Sequence, residues 1–413
     1  MNNKRYKIFQ NTSMLMLLNI AKLVFPFITL PYLTRVMSTD CYGVVAYVKA
    51  VMAYMQVIVD FGFTLSATKM VVETKDDKEK LNNIIGVNIY AKLLLALTAF
   101  IGLLALIVAI PILRKNALYT IMSYLVVVLT IFLFDFFFRG VEKMHIITIR
   151  FVVMKGIATL LTFIFVKGDN DLFLIPILDI IGSLVAIILI AFELHKLGIR
   201  VEKPHIRECV NVIKESSVYF LSNVASTSFN VFNTVIAGIV LTSTEIAYWS
   251  VCMQIINAVQ ALYTPISDAI YPEMIRNRNL SIIKKVIKII MPIISIGCVI
   301  MFIYGKLALW ILGGAKYVQA FTTLRALIPV LFFGFLAIIL GWPSLGAIRK
   351  IKETTTSTVI ASLFQILFVL LLMTIGKLTL VMMAVARSLT EILMFVIRFL
   401  YFEKYKDEFV KRG

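Results

Sequence analysis

Apolar runs of about 20 residues recur along the whole chain, each closed by charged residues, Gly, Pro or Asn, and one such run is what a helix needs to cross a bilayer. Apolar side chains make up 60% of the sequence and charged ones only 15%, a balance that excludes a set of water-soluble domains. The runs predict twelve helices, at about 13–34, 42–65, 84–110, 117–138, 146–166, 171–192, 212–240, 245–270, 286–312, 321–342, 354–375 and 378–400. Over 413 residues that is roughly 34 per span, which leaves no length for a separate globular domain. The first seven residues are basic and an apolar helix follows them, as in a secretory signal. That helix carries Lys22 and runs on to Arg35 without a small-residue cleavage site, so it reads as a retained first span. Cys41, Cys209, Cys252 and Cys298 are scattered, with no paired spacing and no His beside them. Neither a disulfide framework nor a metal site is indicated, and no cofactor is expected.

With the N-terminus inside, Lys and Arg gather in the cytoplasmic connections. These hold Lys69, Lys75, Lys78 and Lys80, then Arg139, Lys143 and Arg150, then Lys196, Arg200, Lys203, Arg207 and Lys214. Further on they hold Arg276, Arg278, Lys284, Lys285 and Lys288, then Arg349, Lys350 and Lys352, with Lys404, Lys406, Lys411 and Arg412 in the tail. The outer connections hold only Arg35, Arg114, Lys115, Lys167, Lys316 and Lys377. Cations in short loops resist translocation, so both termini are expected in the cytoplasm, which requires an even number of spans. The net charge of +18 then follows from topology and is no argument for a nucleic-acid partner. A basic connection near the middle divides the chain into an expected N-terminal six-helix lobe at 1–195, a cytoplasmic linker at 196–211 and a C-terminal six-helix lobe at 212–413. The expected fold is an all-α polytopic membrane protein. Its two lobes would be related by a pseudo-two-fold axis along the membrane normal, around a central cavity.

Polar residues inside these helices are costly and so carry information. In helix 1, Asn19, Lys22, Pro26 and Thr29 fall on one stripe, and in helix 2 so do Lys49, Gln56 and Asp60. Helix 7 aligns Glu215, Tyr219, Ser222, Ser226, Asn230 and Asn233, and helix 8 aligns Ser250, Gln254, Asn257, Gln260, Thr264 and Asp268. These are the first two helices of each half, and together such stripes would line a wet cavity. Interhelical hydrogen bonding is the competing explanation for any single Ser or Thr.

Other charges admit local explanations. Asp135 with Arg139, and Arg387 with Glu391, are four apart on a helix and are expected as ion pairs. Lys155, Lys306 and Arg325 lie near helix ends, where long stems snorkel. Lys92 in helix 3 could join Lys22 and Lys49 in making one half electropositive. Asp179 in helix 6 could be an ion or proton site or the partner of a lysine. His145, His195 and His205 fall in cytoplasmic connections. No phosphate-binding Gly loop, paired acidic motif or large external domain offers an enzymatic site, so an enzyme is not expected.

The run Leu30-Pro31-Tyr32-Leu33-Thr34-Arg35, with Tyr42-Gly43, Asp60-Phe61-Gly62-Phe63 and Ala67-Thr68-Lys69, resembles the Wzx flippases of the multidrug/oligosaccharidyl-lipid/polysaccharide exporter superfamily. The second half resembles it too, in Phe232-Asn233-Thr234-Val235, Ala247-Tyr248-Trp249-Ser250, Tyr271-Pro272-Glu273 and Leu312-Gly313-Gly314-Ala315-Lys316-Tyr317. Asn233 stands where relatives often carry Asp, and Ala247 where they carry Gly. The resemblance implies movement of undecaprenyl-diphosphate-linked oligosaccharide from the cytoplasmic to the periplasmic leaflet of a bacterial inner membrane, for O-antigen, capsule or exopolysaccharide. It implies alternating access with helices 1, 2, 7 and 8 around the cavity. On that reading Lys22, Lys49 and Lys92 meet the diphosphate, and Asn19, Gln56, Asn230, Asn233, Gln254 and Asn257 meet the sugar. Asp60, Asp179 or Asp268 would couple transport to H+ or Na+. Membrane lipids, polysaccharide polymerase and chain-length proteins are the implied partners. The alternatives are a multidrug antiporter of the same superfamily and a polymerase or ligase acting on lipid-linked glycan.

Overall fold

The computed structural model describes residues 2–74 and 77–409, with side chains from Gln10 onward except 221, 222, 225, 226 and 228–230. Lys75 and residues 410–413 are outside it, as are the side chains of the basic start and of Ser222, Ser226 and Asn230. The described residues are helical with no strand, and they divide into two compact units, Met1–Val231 and Phe232–Gly413.

The first unit holds α1 (Asn2–Val36), α2 (Thr39–Asp60), α3 (Phe63–Thr74), α4 (Lys78–Ala109), α5 (Pro111–Lys115), α6 (Ala117–Leu129), α7 (Asp135–Gly140), α8 (Met144–Phe165) and α9 (Leu174–Leu197). The helix α10 (Ile206–Val240) contains the boundary between the units. The second unit continues with α11 (Ser243–Ala261), α12 (Tyr263–Asn277), α13 (Leu280–Gly313), α14 (Phe321–Ile339), α15 (Ile351–Thr374) and α16 (Leu380–Lys404).

Among the described residues, ten stretches are long and apolar enough to cross a membrane, from Gln10–Val36 to Leu380–Lys404. Six precede the basic connection and four follow it. Within α10 the apolar stretch among the described residues is Val231–Val240, and the expected eighth helix is divided between α11 and α12. The outward faces are apolar: Ile293, Ile296, Val299, Ile300, Ile303 and Leu307 of α13 are all exposed. A strip of that kind is sustainable against lipid and not against water. The chain is a multi-pass membrane protein.

Several expected helices are broken, each at an identifiable residue. The second is interrupted after Asp60, where Phe61 and Gly62 take left-handed conformations with φ of 39° and 81°. Gly62 is needed there twice over, since a Cβ would also strike Tyr219 and the backbone of Phe220. Beside it, Phe61 stacks on Phe220 with ring centroids 4.2 Å apart. The fourth breaks at left-handed Phe134, and the eighth between Ala261 and Tyr263. At the N-terminal end of α4, Asp77 accepts from the Lys80 amide, and this hydrogen bond holds its carboxyl below the ordinary carboxylate value.

Within the first unit α8 packs on both α1 and α9, and α2 packs on α4 and α6. The α8–α9 contact is close because Gly182 sits against the Met154 carbonyl, where a Cβ would not fit. In the second unit α14 and α16 form the centre, flanked by α13 and α15.

Candidate functional site: a cationic cavity in the first unit

The stripe on α1 and the lysine of α2 converge. Lys22, Pro26 and Thr29 of α1, Lys49 of α2, Phe151 and Lys155 of α8, and Asp179 of α9 share a cavity of about 130 Å³. A second hollow of about 350 Å³ adjoins it and shares Pro26, Lys49, Lys155 and Asp179, adding Gln56, Tyr119, Ser123 and Thr130. Lys22 and Lys49 are exposed in the bundle although both lie within membrane-spanning stretches. Neither has an ion-pair partner among the described residues; the Lys22 ammonium sits 5.9 Å from the centre of the Phe151 ring, a weak cation–π contact. Lys155 Nζ donates to Asp179 Oδ1 at 2.7 Å. Three ammonium groups thus face one carboxylate, in a medium of low dielectric where unbalanced charge attracts a counter-ion strongly.

Lys155 is therefore not the helix-end anchor its sequence position suggests. It projects into the cavity because α8 and α9 form a hairpin around Gly168, and Lys155 and Asp179 stand at comparable depths from that turn. That symmetry about a short connection is the signal from which the pair could have been read.

The other expected site residues are distributed differently. Lys92 is 7% exposed and donates to Asp60 Oδ1 at 2.8 Å, so the ammonium and the carboxylate balance each other behind α2. Gln56 donates to Asp60 Oδ2 at 2.9 Å and to Thr130 Oγ1 at 3.0 Å, tying α2 to the end of α6. Asn19 is exposed on α1. In the second unit Gln254 is half-buried, and Asn257 and Asp268 are exposed. Asn233 is 1% exposed and accepts from Gln365 Nε2 at 3.2 Å, which makes it an interhelical tie between α10 and α15.

Of the two expected ion pairs, one is corrected. Asp135 is bonded to Arg150 of α8 and not to Arg139. The break at Phe134 makes Asp135 the first residue of α7, so its carboxylate turns to the next helix instead of lying one turn from Arg139. Arg150, expected in a cytoplasmic connection, is 4% exposed within α8. The pair Arg387 and Glu391 forms at 2.9 Å with both side chains 3% exposed. Sequence reasoning missed Arg398, about two turns beyond Glu391. Its guanidinium donates to Ser357 Oγ, Thr358 Oγ1 and the Ala337 carbonyl, joining α14, α15 and α16.

Comparison with known proteins agrees with this architecture. The chain is similar to a protein of Escherichia coli (strain K12) named "Putative O-antigen transporter", 25% identical over 91% of this chain and 92% of that one. A Shigella dysenteriae protein of the same name is 27% identical over 64% and 67%. Among solved structures, the lipid II flippase MurJ in an inward closed conformation superposes with a TM-score of 0.72 at 15% identity, covering 96% of this chain and 87% of that one. An inward-facing multidrug resistance MATE family transporter of the MOP superfamily gives 0.66 at 15%, covering 95% of each. The fold is therefore that of the MOP superfamily. The family model described as polysaccharide biosynthesis protein matches residues 8–278, more than half of a chain whose helices build this cavity, and the chain belongs to that family.

Proposed function

We propose that this protein is a flippase that carries undecaprenyl-diphosphate-linked oligosaccharide from the cytoplasmic to the periplasmic leaflet of the bacterial inner membrane. The observation that carries the reading is the pair of uncompensated ammonium groups, Lys22 and Lys49, open to a cavity within the membrane-spanning bundle. A diphosphate diester bears two negative charges, and charge-assisted hydrogen bonds to ammonium are the interaction that repays its removal from water. Thr29, Gln56, Ser123 and Thr130 around the same hollows offer partners for sugar hydroxyls. The transporter names of the relatives support a transporter and not an enzyme.

On this reading α10 and α11–α12 are the seventh and eighth of twelve spans, the lobes 1–195 and 212–413 rock about the 196–211 connection, and both termini are cytoplasmic. Because the chain has no nucleotide-binding motif, an ion gradient drives the cycle, with Asp60, Asp179 and Asp268 as candidate carriers. Collapsing the proton and sodium gradients separately in vesicles identifies the ion, and a rate indifferent to both removes this step. A multidrug antiporter would need a carboxylate-rich cavity for cations, and three ammonium groups against Asp179 disfavour it.

In a strain lacking the gene, a plasmid copy restores surface glycan. Lys22→Ala and Lys49→Ala at equal membrane abundance are each expected to lower it about tenfold or more, the loss of one ionic hydrogen bond of roughly 1.5–3 kcal/mol. Lys→Arg at either position is expected to keep most of it. Full restoration by both Ala variants would remove the diphosphate assignment.

A further inference from the structure

The cavity's single carboxylate is anomalous if the cavity exists to hold an anion, and its geometry suggests why it is there. We infer that Asp179 is a resident counter-ion, displaced from Lys155 by the diphosphate, and that it makes the cavity reject singly charged phosphodiester lipids. The inference rests on the reading of the cavity as a diphosphate site.

Asp179 and Lys155 are 25% and 34% exposed, so the pair borders the open space and is reachable by a ligand's oxygens. Together with Lys49 it lies on the wall shared by both hollows, and Lys22 lines the smaller one. Its alignment is fixed by the close α8–α9 crossing at Gly182, one turn after Asp179 and against Met154, the neighbour of Lys155. No packing requirement places a carboxylate there; an apolar side chain would suit a helix in lipid better.

The surrounding bilayer is the reason such a group is useful. Bulk anionic phospholipids carry a phosphodiester with one negative charge, and they vastly outnumber the lipid-linked sugar. A cavity with three free ammonium groups would fill with them. With Asp179 holding Lys155, one charge on the ligand meets Lys22 and Lys49 but is repelled by the carboxylate, and it cannot supply enough attraction to separate the pair. Two charges on a diphosphate can hold Lys22 and Lys49 and also compete for Lys155. Discrimination then comes from the repulsive element as much as from the attractive ones.

The test is equilibrium binding to the purified full-length protein in detergent, with an undecaprenyl-diphosphate-linked monosaccharide, a diester with two charges, and phosphatidylglycerol as probes. Wild type is expected to prefer the diphosphate. Asp179→Asn is expected to bind both probes more tightly, phosphatidylglycerol most, so that the preference falls about tenfold. Asp179→Glu is expected to keep it. If wild type prefers the diphosphate and Lys22→Ala weakens its binding, yet Asp179→Asn leaves the preference within about twofold, the counter-ion inference alone is overturned. If wild type shows no preference and Lys22→Ala changes nothing, the diphosphate reading itself fails. Should Asp179→Asn not fold, Lys155→Met serves instead. It leaves the carboxylate uncompensated and must weaken diphosphate binding more than Lys22→Ala does, and an equal or smaller loss contradicts the inference.

Discussion

Glu391→Leu is expected to lower the melting temperature of the detergent-solubilised protein by on the order of 10 °C, since removing one partner of a buried ion pair costs about 3–5 kcal/mol. Arg387 and Glu391 are each 3% exposed at the centre of the second unit, where α16 meets α14. With the carboxylate gone, the buried Arg387 guanidinium loses the anion that compensates its charge. Arg398, held by Ser357, Thr358 and the Ala337 carbonyl, adds a second positive charge nearby. The double variant Arg387→Met with Glu391→Leu removes both charges while keeping similar volumes, and is expected to recover most of the loss. If the single and double variants melt together, the pair is not the source of the effect.

Gly62→Val combines two penalties. The residue sits at φ 81°, a conformation that a β-branched side chain rarely adopts, and its Cβ would contact Tyr219 and the Phe220 backbone. Strain of about 1–3 kcal/mol and overpacking of about 1–3 kcal/mol act together, so the monodisperse yield in detergent is expected to fall severalfold. Gly62→Ala carries the strain and part of the contact, and is expected to fall between Val and wild type. Gly102, with nothing near its absent Cβ, is the control: Gly102→Ala is expected to be tolerated. A yield for Gly62→Val equal to wild type would mean that the α2–α3 break does not need glycine.

The features legible in the sequence were those set by a helix's own periodicity. Lys22, Pro26 and Thr29 share a stripe of α1, and the three face one cavity. Arg387 and Glu391 are one turn apart on an unbroken helix, and they pair. Misreadings arose where the backbone leaves the helix or where the partner is on another element. Asp135 misses Arg139 because Phe134 turns the chain just before it. Lys155 reads as an anchor until α9 brings Asp179 beside it. Lys92 and Asn233 are polar in the sequence for the same apparent reason as Lys49, yet Asp60 and Gln365 bind them behind or between helices. Nothing in one helix's pattern separates a polar face turned to a cavity from one turned to a polar neighbour.

The most direct measurement is leaflet transfer in proteoliposomes loaded with a fluorescent polyprenyl-diphosphate oligosaccharide on one side. The expected result is rapid transfer by wild type and by Lys22→Arg with Lys49→Arg, and a rate near that of empty vesicles for Lys22→Ala with Lys49→Ala. Transfer by the double alanine protein at the wild-type rate would mean that the diphosphate does not cross through this cavity.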